Sequence, residues 1–426
     1  MKVSSKIALL CGAALLGPQM VSAQETAAPA PEAPDTTAPT DEANSGDIVV
    51  MAQRRSQLLR DVPISITAHT SETLEQSGVI SVLDLQRITP GLELPQFGAW
   101  TQPSIRGISS GGADVGDSSN VAIYIDGVYQ NSQVAQLMDL PDVEQVEVLK
   151  GPQGTLYGQN AEGGAVIITT RAPTFTPSGK FSASYGNFND VAIRGYASTG
   201  LTDKVAVSLS GSYQNRDGLR RNIVTGERDA GLRSSLIRGK LLFEPSEAVS
   251  FTLTGYYANR KDSSVFAGQA LNGNSVGYGL FPNSPRPTSK KQIALSVPTD
   301  TQNEVWGGSL KADIDLGIGN LSSVTGYSAS DFTLYAVADF SPAHIATVGG
   351  PRKTISARYF TQDISFVTSG TGPATLTVGA FFTKGHERVP FQAFTQYDAG
   401  AATVAPAAPG PAVFDAGVSK RLEKTI

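Results

Sequence analysis

"LKGPQGTLYGQNAEGGAVIITT", residues 149–170, carries the glycines and the lysine of a phosphate cradle. A Walker-type loop needs G-x-x-x-x-G-K-[ST], with the lysine after the last glycine. Here Lys150 precedes the glycines, and no Lys-Ser or Lys-Thr pair follows. The dinucleotide fingerprint G-x-G-x-x-G, set between a strand and a helix, is also missing. Gly163-Gly164 leads into Ala165-Val166-Ile167-Ile168-Thr169-Thr170, a β-branched run that reads as a strand. The stretch is glycine-rich backbone feeding a strand, and a nucleotide-binding α/β fold is not supported.

Upstream, Lys2 and Lys6 precede the apolar run Ile7 to Leu16, and Val21-Ser22-Ala23 follows. That order predicts a secretory signal at residues 1–23, cut after Ala23. Cys11 is the sole cysteine and lies inside this segment. A mature chain without it has no disulfide, no thiolate catalysis and no Cys-ligated metal. No other window holds enough consecutive apolar residues for a membrane-spanning helix, but a β-barrel hides its lipid face in alternation. The net charge of −5 is mild and forms no basic stripe, which argues against nucleic acid as a partner. Residues 24–46 are Ala, Pro, Thr and acid, the composition of a disordered linker. "DIVVMAQRR", residues 47–55, then offers a compact β-prone run. It reads either as the first strand of a domain or as a segment that adds to another protein's sheet edge.

From Pro63 to Arg171 the pattern is mixed. "ISITAHT" alternates like a strand, residues 71–88 have helical stretches, and "PSIRGI", "VAIYIDGVYQ" and "VEQVEVLKGP" hold short strands. This predicts a small α+β domain over residues 56–172. After Pro173 the helical signal stops and about nine long strands follow. In "KVAVSLSGSY", Val205, Val207, Leu209, Gly211 and Tyr213 share one face; Ala206, Ser208, Ser210 and Ser212 share the other. A soluble sandwich would alternate in the same way. Loop lengths separate the two cases: short connectors near 200, 245, 316 and 369 alternate with long ones over 216–232, 262–301 and 335–353. Outer-membrane barrels have this rhythm. Tyr185, Phe188, Tyr256, Tyr257, Phe381 and Phe382 fit interfacial aromatic girdles.

"DIVVMAQRR", "DVPISITAHTSETLEQSGV", "DLQRITPGLEL", "PSIRGI", "YIDGVY" and the opening stretch, in that order, resemble the TonB-dependent outer-membrane receptors. The resemblance implies an α+β plug domain followed by an antiparallel transmembrane β-barrel over residues 173–426. It implies a TonB-binding box at Asp47, Ile48, Val49, Val50, Met51 and Ala52. It implies a receptor in the outer-membrane lipid that imports a scarce ligand, a ferric siderophore or another large nutrient, with energy supplied through TonB. The glycine-rich stretch would then be the end of the plug, packed inside the wall, where glycine allows close backbone approach. Ligand contacts fall on the apical plug loops: Phe97, Trp100, Thr101, Gln102, Asp114 and Asp117. Phe97 and Trp100 stack on a planar ligand or pack against the wall. Arg106, by its position, pairs with an acid of the barrel; Gln159 and Glu162 stand where many members carry Arg and Ser or Thr.

No cofactor and no catalytic group is expected. His69, His344 and His386 stand apart, and no G-x-S-x-G elbow occurs. A full barrel of this family closes with about 22 strands, of which the chain offers about nine. It ends in what reads as the opening of a tenth, so a truncated, non-transporting fragment is one expectation. A passive pore or surface-binding barrel with a vestigial plug is another.

Overall fold

The computed structural model describes residues 48–52, 54–97, 100–110, 119–133, 135–263, 278–279, 281–296, 299–337, 341–342, 346–349, 355–369, 375–388, 394–396, 413–414 and 421–425. The expected signal, the linker, Asp47, Asp114, Asp117 and His344 lie outside them.

The inner part begins with β1 (Val49–Val50), β2 (Gln57–Leu58), β3 (Ile66–Thr70) and the helix α1 (Ser71–Gln76). A 3₁₀ turn, Val82–Arg87, follows in place of a second α-helix. Its entry is fixed by Asp84, whose carboxylate accepts from the backbone N–H groups of Ile80 and Ser81. Four short strands come next, β4 (Leu92–Glu93), β5 (Gln96–Phe97), β6 (Trp100–Thr101) and β7 (Ser104–Ile105), pairing β4 with β7 and β5 with β6. Then come β8 (Val121–Ile125), β9 (Val128–Tyr129), β10 (Val143–Lys150), the one-turn helix α2 (Gly154–Tyr157) and β11 (Gly164–Thr170).

Five of these strands form one sheet in the order β3-β10-β11-β8-β9, with β11 parallel to β8. Both its faces are covered. Val146, Val148, Val166, Ile168, Ile123 and Ile125 enter one apolar cluster. Leu149, Ala165, Ile167, Ala122 and Tyr124 enter another on the opposite face. A sheet buried on both sides needs near-continuous apolar runs, which is why "VAIYI" and "GAVII" do not alternate.

The glycine-rich stretch works by close approach. Gly164 has φ of 143°, and a Cβ there would stand 2.1 Å from the Leu149 carbonyl oxygen and 2.9 Å from Ile105 Cδ1. A side chain would force β10 and β11 apart at their hairpin end.

The outer part is a wall of nine long strands with their connecting pieces: β12 (Ser178–Gly186), β13 (Asp190–Thr202), β14 (Val205–Arg216), β15 (Arg220–Asn222), β16 (Arg228–Asp229), β17 (Leu232–Ser246), β18 (Val249–Asp262), β19 (Gln292–Ile293), β20 (Asp300–Asp315), β21 (Gly319–Val337), β22 (Ala346–Gly349), β23 (Ile355–Thr368) and β24 (Thr377–Arg388). Along the path β12-β13-β14-β17-β18-β20-β21-β23-β24 each strand is antiparallel to the next. Beyond lie β25 (Phe394–Gln396), β26 (Val413–Phe414) and β27 (Arg421–Thr425), the last paired with β24.

The alternation read in residues 205–213 is real. Leu209 is 57% exposed, whereas Ala206 and Ser210 are buried. Register aligns the outward residues into rows: Leu241, Leu253 and Leu310 stand side by side on three neighbouring strands, all exposed. Such an apolar belt suits lipid. Tyr185, Phe188, Tyr257 and Phe382 share this exposed face. Tyr256 and Phe381 do not: they pack against the two inner clusters. Adjacent strand residues point to opposite faces, so 256 with 257, and 381 with 382, cannot both belong to one girdle. Among the described residues no helix is long and apolar enough to cross a membrane.

Gly164→Ala is expected to destabilise the folded chain by about 3 kcal/mol or more, through clash and strained φ. Gly154→Ala, where a Cβ meets nothing within 4 Å, is expected to be near neutral. Denaturant unfolding of both variants checks this; equal midpoints would refute the close-approach role.

Candidate functional site

The segment 48–52 does not hang free. Val49 pairs with Leu58 and Val50 with Gln57 in an antiparallel two-stranded sheet. The Leu59 N–H donates to the Ile48 carbonyl at 2.7 Å. Val50 and Ala52 are fully buried in the second inner cluster. Three side chains of the inner domain hold the main chain. Gln145 Nε2 donates to Val49 O at 2.9 Å, the Met51 N–H donates to Glu147 Oε1 at 2.9 Å, and the Tyr157 hydroxyl donates to Ala52 O at 3.0 Å. The segment is thus paired within its own chain in this state. The chain's own hairpin takes one edge, because burying Val50 and Ala52 outweighs leaving the β-prone run in water.

Arg54, which the sequence did not single out, fastens this segment to the wall. Its guanidinium binds Asp363 of β23 through both ends, Nη1 to Oδ1 at 2.6 Å and Nη2 to Oδ2 at 2.7 Å. Nε donates to the Leu156 carbonyl at 2.8 Å, and the group lies over the Tyr157 ring. Burial would lower its pKa, but the Asp363 partner prevails and holds it above its usual value. Arg55 reaches Thr375 Oγ1 at 3.1 Å. These contacts put the segment at the short-turn end of the wall. A cavity of about 830 Å³ opens there between segment, inner sheet and wall, lined by Arg54, Tyr124, Tyr157, Lys240, Lys311 and Asp313 among others.

A second set of contacts joins the inner domain to β14, β17 and β18. Arg238 meets Asp142 at 2.5 Å, the two side chains only 2% and 3% exposed. Asp142 also accepts from Ser210 Oγ at 2.7 Å. Lys240 Nζ stands 3.0 Å from Asp126 and donates to Thr170 O. Asp139 accepts from Ser212 and Ser234. Burial alone would raise the Asp126 carboxyl, but Lys240, Arg238 and two hydrogen bonds from Thr170 hold it below its usual range. In this set acids of the inner domain meet bases of the wall, whereas Arg54 and Asp363 pair a base of the inner domain with an acid of the wall. Arg106 instead donates to Ser65 Oγ within the inner domain at 2.8 Å, on an exposed surface. Gln159 is half-buried and Glu162 exposed, and among the described residues neither has a polar contact with the wall.

At the other end, β5 and β6 form a hairpin that brings Phe97 opposite Trp100 in register. Gln96 Nε2 donates to Asp262 Oδ2 at the top of β18, at 2.8 Å. Thr101 is fully buried and donates to the Pro95 carbonyl. It braces the hairpin, so its expected ligand contact is corrected. Gln102 is half-buried, and its N–H donates to the same carbonyl at 3.3 Å. Among the described residues no group of three His, Cys, Asp or Glu could hold a metal ion.

The inner α+β domain is thus wedged by ion pairs against an antiparallel wall whose outer face is apolar. The family model for the TonB-dependent receptor plug domain matches residues 58–165. Those residues are a TonB-dependent receptor plug domain. Relatives include the vitamin B12 transporter BtuB of Vibrio vulnificus, 29% identical over 61% of this chain and 43% of its own length. The pesticin receptor of Yersinia pestis is 32% identical over 49% of this chain and 32% of its own. The ferric yersiniabactin uptake receptor FyuA from Yersinia pestis shares the fold with a TM-score of 0.66 at 21% identity, over 78% of this chain and 50% of that one. The chain thus spans less than half the length of these curated relatives. The relatives are named as transporters and receptors rather than enzymes, and one similar solved structure is a ferripyoverdine receptor of the outer membrane of Pseudomonas aeruginosa.

Two outcomes are expected. Asp142→Ala leaves Arg238 buried without a partner and should cost about 3–5 kcal/mol, while Asp142→Leu with Arg238→Met should recover most of it; denaturant midpoints read both. Asp363→Asn should speed trypsin cleavage at Arg54–Arg55 about tenfold, as loss of charge-assisted hydrogen bonds worth about 1.5–3 kcal/mol implies. An unchanged cleavage rate would show that the pair does not restrain the segment.

Proposed function

We propose that this chain belongs to an energy-coupled importer, in which residues 47–52 are the segment taken by TonB and the cargo is a ferric siderophore. The observation that carries the reading is the docked segment. It is β-prone, held by a few hydrogen bonds and one ion pair, and set at the short-turn end of the wall. Its two-residue pairing with Gln57–Leu58 is short enough to be exchanged for a longer pairing with a partner strand. Pulling on it would act on Glu147 and Gln145 of β10 and, through Arg54, on the wall. β10 is an interior strand of the plug sheet, between β3 and β11, so the load would enter the plug sheet directly. The cavity beside Arg54 is the natural place for a passage to widen.

The siderophore rests on relatives. The ferrioxamine B receptor of Salmonella typhimurium is 31% identical over 51% of this chain, and several of the similar solved structures are siderophore receptors. At the long-loop end the β5–β6 hairpin, tied to Asp262, is the plug surface best placed to meet such a ligand. Binding there would loosen the hairpin's tie to β18, and the disturbance would pass through the plug to the docked segment.

Deleting residues 48–52 should abolish uptake of iron-loaded siderophores in energised cells and leave their surface binding intact. Uptake that survives the deletion would overturn active import and favour a passive pore. A panel of hydroxamate, catecholate and mixed siderophores, run beside labelled cobalamin, tests the cargo; uptake of cobalamin alone would reject the siderophore.

A further inference from the structure

Glu147 is a buried carboxylate with half its hydrogen-bonding capacity unused. Its side chain sits mid-strand in β10, and the residue is 2% exposed. Oε1 accepts from the Met51 N–H at 2.9 Å and more weakly from Gln145 Nε2 at 3.4 Å. Oε2 is buried and has no hydrogen-bond partner among the described residues. Among the described residues no cation is paired with it. Around it stand Tyr157 of α2 and Tyr124 of β8, with Arg54 and Asp363 beyond, and Arg54 is committed to Asp363 and Leu156. Glu144 is exposed at the start of the same strand. Lys150 and His69 fall on the opposite face of the sheet by alternation and register.

A buried carboxylate without a counter-charge is costly when ionised and far less so when neutral. The neutral form keeps its bond to Met51, since Oε1 still accepts. With the segment undocked, water would reach both oxygens.

We propose that docking of residues 48–52 is coupled to protonation of Glu147, so that the plug holds its TonB segment in mildly acidic medium and loosens it as the carboxyl ionises. Burial, partly offset by the Met51 hydrogen bond, does raise this group above its ordinary value of 4.5. The sign follows. Below the ordinary carboxyl range both states are protonated and docking is at full strength. Between that range and the raised docked value, docking weakens by up to about tenfold per pH unit, one proton being released. Above the docked value the weakening is complete and levels off. The coupling gives the importer of the preceding section a way to sense local proton concentration at the segment it offers to TonB.

The test needs neither TonB nor siderophore, so it stands or falls apart from the import reading. A nitroxide on Val49→Cys, an exposed position, reports segment mobility by electron paramagnetic resonance in the full chain in outer-membrane vesicles. The mobile fraction should rise from pH 4 towards pH 8 in the otherwise wild-type chain. Glu147→Gln keeps an acceptor for Met51 without a titrating proton, and should stay docked at every pH. A mobile fraction that is flat with pH, or that falls as pH rises, overturns the proposal without any Glu147 variant. So does a Glu147→Gln profile that follows the wild-type one.

Discussion

Arg238 sits at 2% exposure in the wall, and a guanidinium cannot be buried so deeply without a counter-charge. Asp142 supplies it from the plug. The need arises from the wall itself. A sheet that turns leucine and tyrosine outward on alternate residues must turn the residues between them the other way. In β14, β17 and β18 those are Ser210, Ser212, Ser234, Arg238, Lys240 and Arg260. Without the plug they would line open space; with it they need partners. Asp126, Asp139 and Asp142 are the partners, all from the loops that flank β8, β9 and β10. Charge pairing thus acts beside apolar packing, in which Leu236, Ala258 and Val305 of the wall join the plug's first cluster.

The same constraint, relaxed, governs the segment 48–52. It is held by main-chain bonds to a two-residue neighbour, by three side chains and by Arg54. Val49 and Met51 remain exposed while Val50 and Ala52 are buried. The segment touches both plug and wall. In the proposed mechanism a pulled segment has to come from the low-stability end of a fold, yet be tied to something that moves when it leaves. Arg54 and Glu147 provide the two ties, one to the wall and one to the plug sheet.

Much of this could be read from the sequence, for local reasons. The period-two pattern of residues 205–213 gave β14 and its faces, and the run after Gly164 gave β11. About nine long strands were expected, and nine lie among the described residues. The tight backbone approach at Gly164 was implied by glycine itself. What the sequence did not disclose depends on distant partners. Arg54 and Asp363 are 309 residues apart, and nothing near either predicts their meeting. Arg106 carries the same charge as Arg54, and only the folded chain shows that one meets an acid of this wall and the other a serine. Thr101 looked like a loop-tip residue because the turn that buries it is made by the Pro95 carbonyl. Phe381 and Tyr256 were grouped with their neighbours by composition, although strand geometry turns them to the plug.

The central claim is that the segment 48–52 is docked at rest. Amide hydrogen exchange of the full chain in outer-membrane vesicles tests it at two sites. The Met51 amide, bonded to Glu147, and the Leu59 amide, bonded to Ile48, are expected to exchange far more slowly than the same amides in a free peptide of residues 47–60. Exchange of both at the peptide rate would mean that the segment is already loose, and that neither Arg54 nor Glu147 restrains it.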